Sequence, residues 1–454
     1  TTQGVVLDPK SRHARVHGIG HVACVSKKSK KLKQAFLSKA KCTIYRLGGG
    51  FVCKISISSH LHELQLSSAI FEFPICTAGL EEPRYIKYMK IEILKDQLEH
   101  AVGVASRVAN KNLSLPVLGC AVLVVEEGRI MMRATNLDVS VEVLINGKVQ
   151  ESGVVAIPAH VLAQTVQTAT DEKLTLTSDD TTLTITGSHG SARIKTVESS
   201  DFPTLPFVKE GDGVSFSLSA KELSRALKSV SFAASNSGMR PELSSVYMEL
   251  TEGILVTAAT DSFRLAEMRI PVNAKSSVAP VLIPQRNITD LLRVIGDAET
   301  VELRVGEGQV TAVVEGSYLT SRTVDGAFPE YQAIIPDEFA TTATTLTEDA
   351  LKSLRKVSVF VDSSGQVTLS AKPKNKVFVV EAENSQVGET KEEIDSAIEG
   401  DEVTINFNVR YILDALSVVT SDSVVFSIAG VGKPMVISDV PDRGFTYLVM
   451  PMNK

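Results

Sequence analysis

The chain lacks tryptophan, and aromatic residues make up only 5% of its 454 residues. Its hydrophobic core must therefore be built mainly from Val, Leu, Ile and Ala. The sequence also lacks an uninterrupted run of about 18 apolar residues, so we expect no membrane-spanning helix. The five cysteines follow no regular spacing, and we predict neither a disulfide framework nor a secretory signal. These features favour a protein of a reducing compartment, the cytoplasm.

Signatures of catalysis are missing as well. The chain contains no Gly-rich phosphate loop, no H-E-x-x-H, no G-x-S-x-G and no acidic cluster typical of a two-metal site. The histidines after Tyr88 are His100, His160 and His189. The one later cysteine, Cys120, lies in the apolar stretch LGCAVLVV, which is typical of a core residue. We therefore expect no catalytic residue, no metal and no cofactor, and keep an enzyme with an unrecognised site as an alternative.

The balance of charge changes abruptly at Tyr88. Residues 1–88 contain 14 Lys and Arg against 5 Asp and Glu, whereas the remaining residues contain 33 against 48. The first segment also contains the basic run SKKSKKLK and histidines at positions 13, 17 and 21. These features are compatible with a nucleic-acid arm or a metal site. We favour a third interpretation, in which residues 1–88 are a basic appendage of doubtful origin and translation starts at Met89, the first methionine.

An internal repeat organises the remainder of the chain. The segments VAIPAHVLAQTV, VLIPQRNITDLL and INFNVRYILDAL align at Ile157, Ile283 and Phe407, which are 126 and 124 residues apart. Pro158 and Pro284 stand where a helix would begin, a position that proline tolerates. A period of this length is too long for a solenoid and indicates a domain that occurs three times.

Each repeat is predicted to start with an amphipathic helix followed by antiparallel strands. Apolar residues recur at intervals of three and four in MKIEILKDQLEHAVGVASRV, FSLSAKELSRALKSVSF and TTLTEDALKSLRKVSVF. Ser219 and Glu222 have the spacing of a capping box, and Thr347 is the candidate cap of the third helix. Alternating runs such as VYMELTEGILVTAAT then predict β-hairpins. We expect an α+β fold in which each domain packs two helices on an antiparallel sheet. The expected domains are 89–210, 211–340 and 341–454.

Five stretches resemble one known family. They are LSLPVLG, ATDSFRLAEM, VDGAFPEY, NFNVRYILDAL and the final YLVMPM, and they are similar to segments of the bacterial DNA polymerase III beta subunit, the sliding clamp. The resemblance covers Met89 to Lys454, and residues 1–88 have no counterpart. It implies a non-catalytic, ring-forming homodimer of six similar domains, closed head to tail around duplex DNA. Such a clamp tethers the polymerase of the holoenzyme, and a loader that consumes ATP opens it.

The resemblance implies that double-stranded DNA is encircled without sequence readout. Because residues 89–454 are acidic overall, positive charge must be concentrated on the helices that face DNA. The basic residues on or beside these predicted helices are Lys95, Arg107, Lys111, Lys221, Arg225, Lys228, Arg286, Arg293, Lys352, Arg355, Lys356 and Arg410. By resemblance and by position, the predicted DNA-binding residues are Lys111, Arg225, Lys228, Arg240, Gln285 and Arg286. For each single cation, a solvated helix face is the alternative.

The resemblance also implies a pocket between the second and third domains that accepts short peptides with a Gln and a Leu-Phe-like end. The polymerase alpha subunit, the clamp loader and repair polymerases carry such peptides. The predicted wall consists of Leu243, Thr260, Ser262, Phe263, Arg264, Leu265, Pro329, Ile334, Leu448, Val449, Met450, Pro451 and Met452. The apolar ending YLVMPMNK suits such a site, because flexible methionine side chains can repack around different partners.

The predicted pocket departs from the family pattern at three positions. Ser262 and Phe263 stand where Gly and His are common, and Ala333 stands where Arg is frequent. We therefore expect a more apolar pocket with a changed peptide preference. ATDSFRL can also be interpreted as a strand turn in which Asp261 and Arg264 form a structural ion pair. A further alternative is an interaction protein that is built from the same domains but does not close a ring.

Overall fold

The structure, a computed structural model, describes residues 40–47, 50–57, 89–109, 115–179 and 181–452. The chain divides into two compact units, Thr1–Tyr85 and Ile86–Lys454. In the first unit, β1 (Ala40–Leu47) and β2 (Gly50–Ile57) form an antiparallel hairpin. The run SKKSKKLK and the histidines at positions 13, 17 and 21 lie outside the described residues. The alternatives of a nucleic-acid arm and a metal site, which depend on them, therefore lie outside the described residues as well.

The second unit contains three repeats that share one order of strands and helices, except that the second repeat has one strand fewer before its second helix. The first repeat contains β3 (Lys90–Leu94), α1 (Lys95–Val108), β4 (Cys120–Glu126), β5 (Arg129–Thr135), β6 (Val139–Ile145), β7 (Gly147–Glu151), β8 (Gly153–Pro158), α2 (Ala159–Thr168), β9 (Lys173–Ser178), β10 (Thr182–Thr186) and β11 (Ser191–Lys195). The second contains β12 (Val214–Ser219), α3 (Ala220–Ser231), β13 (Ser245–Thr251), β14 (Ile254–Thr260), β15 (Arg264–Pro271), β16 (Val278–Pro284), α4 (Gln285–Ile295), β17 (Thr300–Gly306), β18 (Gln309–Val314) and β19 (Ser317–Arg322). The third contains β20 (Thr341–Leu346), α5 (Thr347–Val357), β21 (Gln366–Lys372), β22 (Val377–Asn384), β23 (Gly388–Asp395), β24 (Ala397–Gly400), β25 (Val403–Asn408), α6 (Val409–Val418), β26 (Ser423–Ile428), β27 (Met435–Val440) and β28 (Phe445–Val449).

Two of the sheets continue from one repeat into the next. The order β12-β17-β18-β19-β6-β5-β4-β8 joins the first two repeats, and β16-β13-β14-β15-β28-β27-β26-β20-β24 joins the second and third. At the second junction Leu265 of β15 lies opposite Leu448 of β28. The orders β11-β10-β9-β3-β7 and β23-β22-β21-β25 form separate sheets at the two ends. Backbone hydrogen bonds therefore fasten the repeats edge to edge.

The described helices form a layer on the sheets. Each repeat packs its two helices against each other, and contacts between α1 and α4 and between α3 and α6 continue the layer across the junctions. Helix α3 shows the expected amphipathicity, since Leu223, Leu227 and Val230 are fully buried. The predicted antiparallel α+β fold, with three repeats of two helices on sheets, matches this arrangement.

The helix starts confirm one predicted cap and correct another. The N–H of Glu222 donates to the Ser219 hydroxyl at 3.5 Å, as the capping-box spacing predicts. Thr347 is not a cap: it is the first residue of α5, and its hydroxyl donates to the carbonyl of Ser421 at 2.9 Å. The prediction failed because the helix begins one residue earlier than expected, with Leu346 at the cap position. Pro158 and Pro284 directly precede α2 and α4.

Each linker between repeats covers a second apolar cluster on the sheet face opposite the helices. Strand β4 is buried on both faces, because Val122 and Val124 pack with Phe202 of the first linker while Leu123 joins the helix-side core. Cys120 lies in the linker-side cluster, where burial raises the pKa of its thiol to about 11. This is the environment of a core residue, as the sequence indicated.

Within the described residues, no helix combines the length and apolar character needed to cross a membrane. No group of three or more His, Cys, Asp or Glu side chains is placed to hold a metal ion in that same part of the chain.

Candidate functional site

A cavity of about 310 Å³ opens where the second repeat, the third repeat and the second linker meet. Leu265 and Leu448, paired on neighbouring strands, form its floor. The linker supplies Pro329 and Ile334, and the turn after β14 supplies Phe263. The full lining is Arg240, Thr260, Ser262, Phe263, Arg264, Leu265, Pro329, Tyr331, Ile334, Leu448 and Met450.

Most of the predicted wall residues lie in this lining, but four do not. Leu243 is buried, and Val449 is buried in the helix-side core. Val449 points away from the cavity because successive strand residues face opposite sides, and Leu448 already faces it. Pro451 and Met452 follow the strand, and the N–H of Met452 donates to the carbonyl of Asn406 at 2.8 Å. That hydrogen bond directs the last described residues toward β25 of the third repeat.

A hydrogen-bonded turn presents Phe263 at the rim of the cavity. One carboxylate oxygen of Asp261 accepts from the N–H groups of Phe263 and Arg264 at 2.9 and 3.1 Å. Ser262 has a φ of 81°, in the left-handed region that favours glycine, which explains why glycine suits this position. The carbonyl of Phe263 accepts from the N–H of Met450 at 2.9 Å. Phe263 remains 62% exposed, so burial of its ring contributes little to the stability of the fold.

Arg264 lies at the edge of the cavity and joins the second repeat to the third. Its guanidinium donates to Asp261 at 3.0 Å, to Asp414 of α6 at 2.7 Å and to the Phe232 carbonyl at 2.9 Å. It also stacks 4.4 Å from the ring centre of Tyr411. Burial opposes its charge, but the contacts with Asp414 and Asp261 prevail and raise the pKa of Arg264 above its ordinary value. The structural ion pair considered from the sequence is therefore present, at the edge of the cavity.

The predicted DNA-binding residues are not all gathered on the helix face. Lys228 is exposed on α3, and Gln285 and Arg286 begin α4. Arg286 forms an ion pair at 2.7 Å with Asp138 across the first junction. Lys111 lies outside the described residues.

Two further cations predicted to bind DNA also contact protein groups, and their contact with DNA stays a prediction. Arg240 lines the cavity, with its Nε 2.9 Å from the Glu242 carboxylate. Arg225 is half-buried and donates to Glu222 at 2.7 Å and to the Arg443 carbonyl at 3.3 Å. The contact with Glu222 has the i,i+3 spacing of a helix, whereas the Arg443 carbonyl belongs to the third repeat and could not be predicted from the helix alone.

Sequence reasoning missed Tyr331 as a lining residue. It lies in the quoted stretch VDGAFPEY, between the predicted Pro329 and Ile334, and is only 5% exposed. Its position between two predicted wall residues was a signal that could have pointed to it.

Known protein families match the three repeats one by one. Three family models match in order: the N-terminal domain of the DNA polymerase III beta subunit at residues 89–206, its central domain at 217–330 and its C-terminal domain at 332–453. The chain belongs to the DNA polymerase III beta subunit family. Members of this clamp family are non-catalytic processivity factors of the polymerase.

Individual clamps are similar over the same region. The beta sliding clamp of Synechococcus elongatus is 29% identical over 374 residues, covering 80% of this chain and 99% of its own. That of Caulobacter vibrioides is 29% identical over 378 residues, covering 80% and 100%. The Thermotoga maritima beta subunit superposes with a TM-score of 0.76 at 24% identity, covering 81% of this chain and 100% of its own. A Pseudomonas aeruginosa clamp bound to griselimycin superposes with a TM-score of 0.75 at 23% identity, also covering 81% of this chain and 100% of its own. These structures share the three-domain clamp fold.

Replacing Arg264 tests the junction beneath the cavity. Arg264→Met should lower the free energy of unfolding by about 2–4 kcal/mol, because the Phe232 carbonyl and two carboxylates lose their buried partner. Equilibrium urea denaturation followed by circular dichroism measures the change. The control Arg304→Met removes a half-buried arginine that pairs with Glu302 within one strand, and should cost less than about 1 kcal/mol. Equal effects of the two substitutions would show that Arg264 does not hold the junction.

Proposed function

We propose that the chain is a DNA sliding clamp, a ring around duplex DNA that tethers the replicative polymerase and makes synthesis processive. The observation that carries this function is the ordered match of all three beta subunit domains from residue 89 to residue 453. Domain boundaries at 210 and 340, and residence in the cytoplasm, remain predictions.

The sheet ends support closure of the ring by a second copy of the chain. Strand β11 is the last strand of the first repeat, as β19 and β28 are the last strands of the second and third. Strand β23 is the third strand after α5, the first helix of its repeat, as β6 is after α1 and β15 is after α3. Within the chain, β19 pairs with β6 and β28 pairs with β15. By the same geometry, β11 of one copy pairs with β23 of another. An edge strand with unpaired backbone groups favours such an addition.

The two end strands also carry opposite charge. Strand β11 contains Arg193 and Lys195, whereas β23 contains Glu389, Glu392 and Glu393. Opposite charges favour antiparallel pairing of the two strands across a homodimer interface.

The register within the chain extends to the proposed interface. Leu265 opposite Leu448, and Ser140 opposite Thr320, are equivalent pairs at the two junctions. The corresponding residues on the end strands are Glu389 and Arg193. If β11 of one copy pairs with β23 of the other in this same register, Arg193 lies opposite Glu389.

Exposed apolar side chains near β23 are consistent with a covering partner. Val387 and Val359 are 58% and 67% exposed. The residue equivalent to Val359 in the second repeat is Phe232, whose ring lies 5.8 Å from that of Tyr447 on the added strand β28. A partner strand would cover Val359 in the same way.

A charge swap tests the interface. Arg193→Glu should weaken the dimer at least tenfold, because it places two carboxylates opposite each other, and Arg193→Glu combined with Glu389→Arg should restore it. Sedimentation equilibrium of the full chain gives the dissociation constant. Lys148→Glu, on the other edge strand of the same sheet, is the control and should change nothing. Failure of the double variant to recover would reject this register.

The helix layer supports contact with DNA. The six helices contain 11 Lys and Arg against 7 Asp and Glu, although residues 89–454 contain 33 against 48. Lys221, Lys228, Arg355 and Arg410 are exposed on helices and have no ion-pair partner within the described part of the chain. Such cations can attract phosphates weakly and without sequence preference, which permits sliding.

Retention on circular DNA tests the ring. Full-length protein that a bacterial clamp loader and ATP have placed on nicked circular DNA should co-elute with it in gel filtration. Linearising the DNA should release the protein, because a ring slides off a free end. Equal retention on linear DNA would mean ordinary binding and would contradict encirclement. Arg193→Glu should not be retained on either form.

We infer that the cavity accepts short peptides from the polymerase alpha subunit, the clamp loader and repair polymerases. Phe263, Ile334 and Met450 are 62%, 50% and 36% exposed around one concave site with an apolar floor. Exposed apolar side chains that converge in this way are typical of a binding site.

Phe263→Ala tests the peptide pocket. The substitution should weaken binding of fluorescein-labelled Gln-Leu-Ser-Leu-Phe about tenfold, because the exposed ring offers contact area that alanine lacks. Fluorescence anisotropy measures the affinity. Val154→Ala, at a valine that is 55% exposed outside the cavity, is the control and should bind as the unaltered chain does. If both variants bind equally, Phe263 is not part of the site.

A further inference from the structure

We propose that Tyr331 and Glu267 are positioning residues that hold the linker wall of the cavity in the shape that binds peptides. This inference rests on the proposed role of the cavity as a peptide pocket. It assigns a function to a buried hydrogen bond that lies behind the lining.

The contact joins the linker to the sheet. The hydroxyl of Tyr331 donates to one carboxylate oxygen of Glu267 at 2.5 Å. Nε of Arg269 donates to the other oxygen at 2.8 Å. Glu267 is only 3% exposed, so both oxygens are satisfied within the protein. Glu267 lies two residues after Leu265 on β15, and side chains two apart share a sheet face. The hydroxyl therefore fastens the linker beside the cavity floor.

The linker residues on either side of Tyr331 form the wall. Pro329 precedes Tyr331 by two residues and Ile334 follows it by three, and both line the cavity. The Tyr331 ring lies edge-on to Phe328 at 5.8 Å and to Tyr247 at 6.2 Å. Apolar packing of this kind tolerates small shifts, whereas a hydrogen bond to a buried carboxylate has a narrow geometry. The hydroxyl is thus the contact that sets the linker's position along the sheet.

The first junction shows that the fold does not require this contact. Glu142 has the position in the first repeat that Glu267 has in the second, and it is also buried at 6% exposure. Its carboxylate pairs with Nε of Arg133 on the neighbouring strand at 2.6 Å. The described first linker donates no hydrogen bond to Glu142; it packs Phe207 against Tyr318 instead. A linker tyrosine on the buried carboxylate is therefore found at the junction that contains the cavity.

Tyr331→Phe isolates the effect of the hydroxyl. The ring remains in place, and the hydroxyl is buried against Glu267, so a direct contact with a peptide is not removed. We expect the full chain to bind fluorescein-labelled Gln-Leu-Ser-Leu-Phe about threefold to tenfold more weakly. Amide hydrogen exchange at residues 328–335 should become faster in the free protein. Tyr318→Phe at the first junction is the matched control and should leave binding unchanged.

Substitutions at Glu267 distinguish positioning from general stability. Glu267→Gln keeps an oxygen that can accept from Tyr331 and should bind nearly as well as the unaltered chain. Glu267→Met leaves the hydroxyl without a partner and should match Tyr331→Phe. The double variant Tyr331→Phe with Glu267→Met should lose no more than either single variant. The thermal unfolding midpoint is recorded for each, since a merely structural role would follow stability rather than this order.

The outcomes separate the two proposals. If the unaltered chain does not bind the peptide, the pocket function fails, and this inference fails with it. If the unaltered chain binds and Tyr331→Phe binds equally well, the pocket stands and the positioning role is overturned. Equal losses in Tyr331→Phe and Tyr318→Phe would also overturn it, because the effect would then not be specific to the cavity.

Discussion

The pairing of edge strands across repeat boundaries is the constraint on which the architecture depends. A β-strand at the edge of a sheet presents backbone donors and acceptors that need partners. In this chain β6 receives β19, and β15 receives β28. The same rule leaves β11 and β23 as the end strands of the chain, with opposite charge. In the proposed closed assembly of two chains, every repeat would meet this requirement in the same way.

The cavity follows from that pairing. Because β28 of the third repeat is added to the sheet of the second, Leu448 comes to lie beside Leu265, and the linker between the repeats has to cross the same face. Arg264 then joins the helix layer to the junction through Asp414. The apolar ending of the sequence is thus a strand that is shared by two repeats, and one side of it is the floor of the cavity.

Local pattern predicted much of the fold. Spacings of three and four located the first helix of each repeat, and the alignment of Ile157 with Ile283 revealed the repeat itself. Most of the pocket residues came from the family resemblance rather than from pattern. Contacts with partners that are distant in sequence could not be predicted from pattern. Thr347 donates to a remote carbonyl, Arg225 reaches the third repeat, and Arg286 pairs with Asp138 of the first repeat. No periodicity encodes such contacts.

The path of the last residues has a practical consequence for handling the protein. The backbone of Met450 is bonded to Phe263, and that of Met452 to Asn406, so anything fused after the final lysine emerges within a few residues of the cavity. A purification tag or fluorescent protein attached there would compete with the proposed peptide ligands for the same space. An immobilised chain captured by that end would present an obstructed site to the solution. Coupling through an exposed residue of the first repeat, such as Glu127 in the turn between β4 and β5, keeps the cavity open.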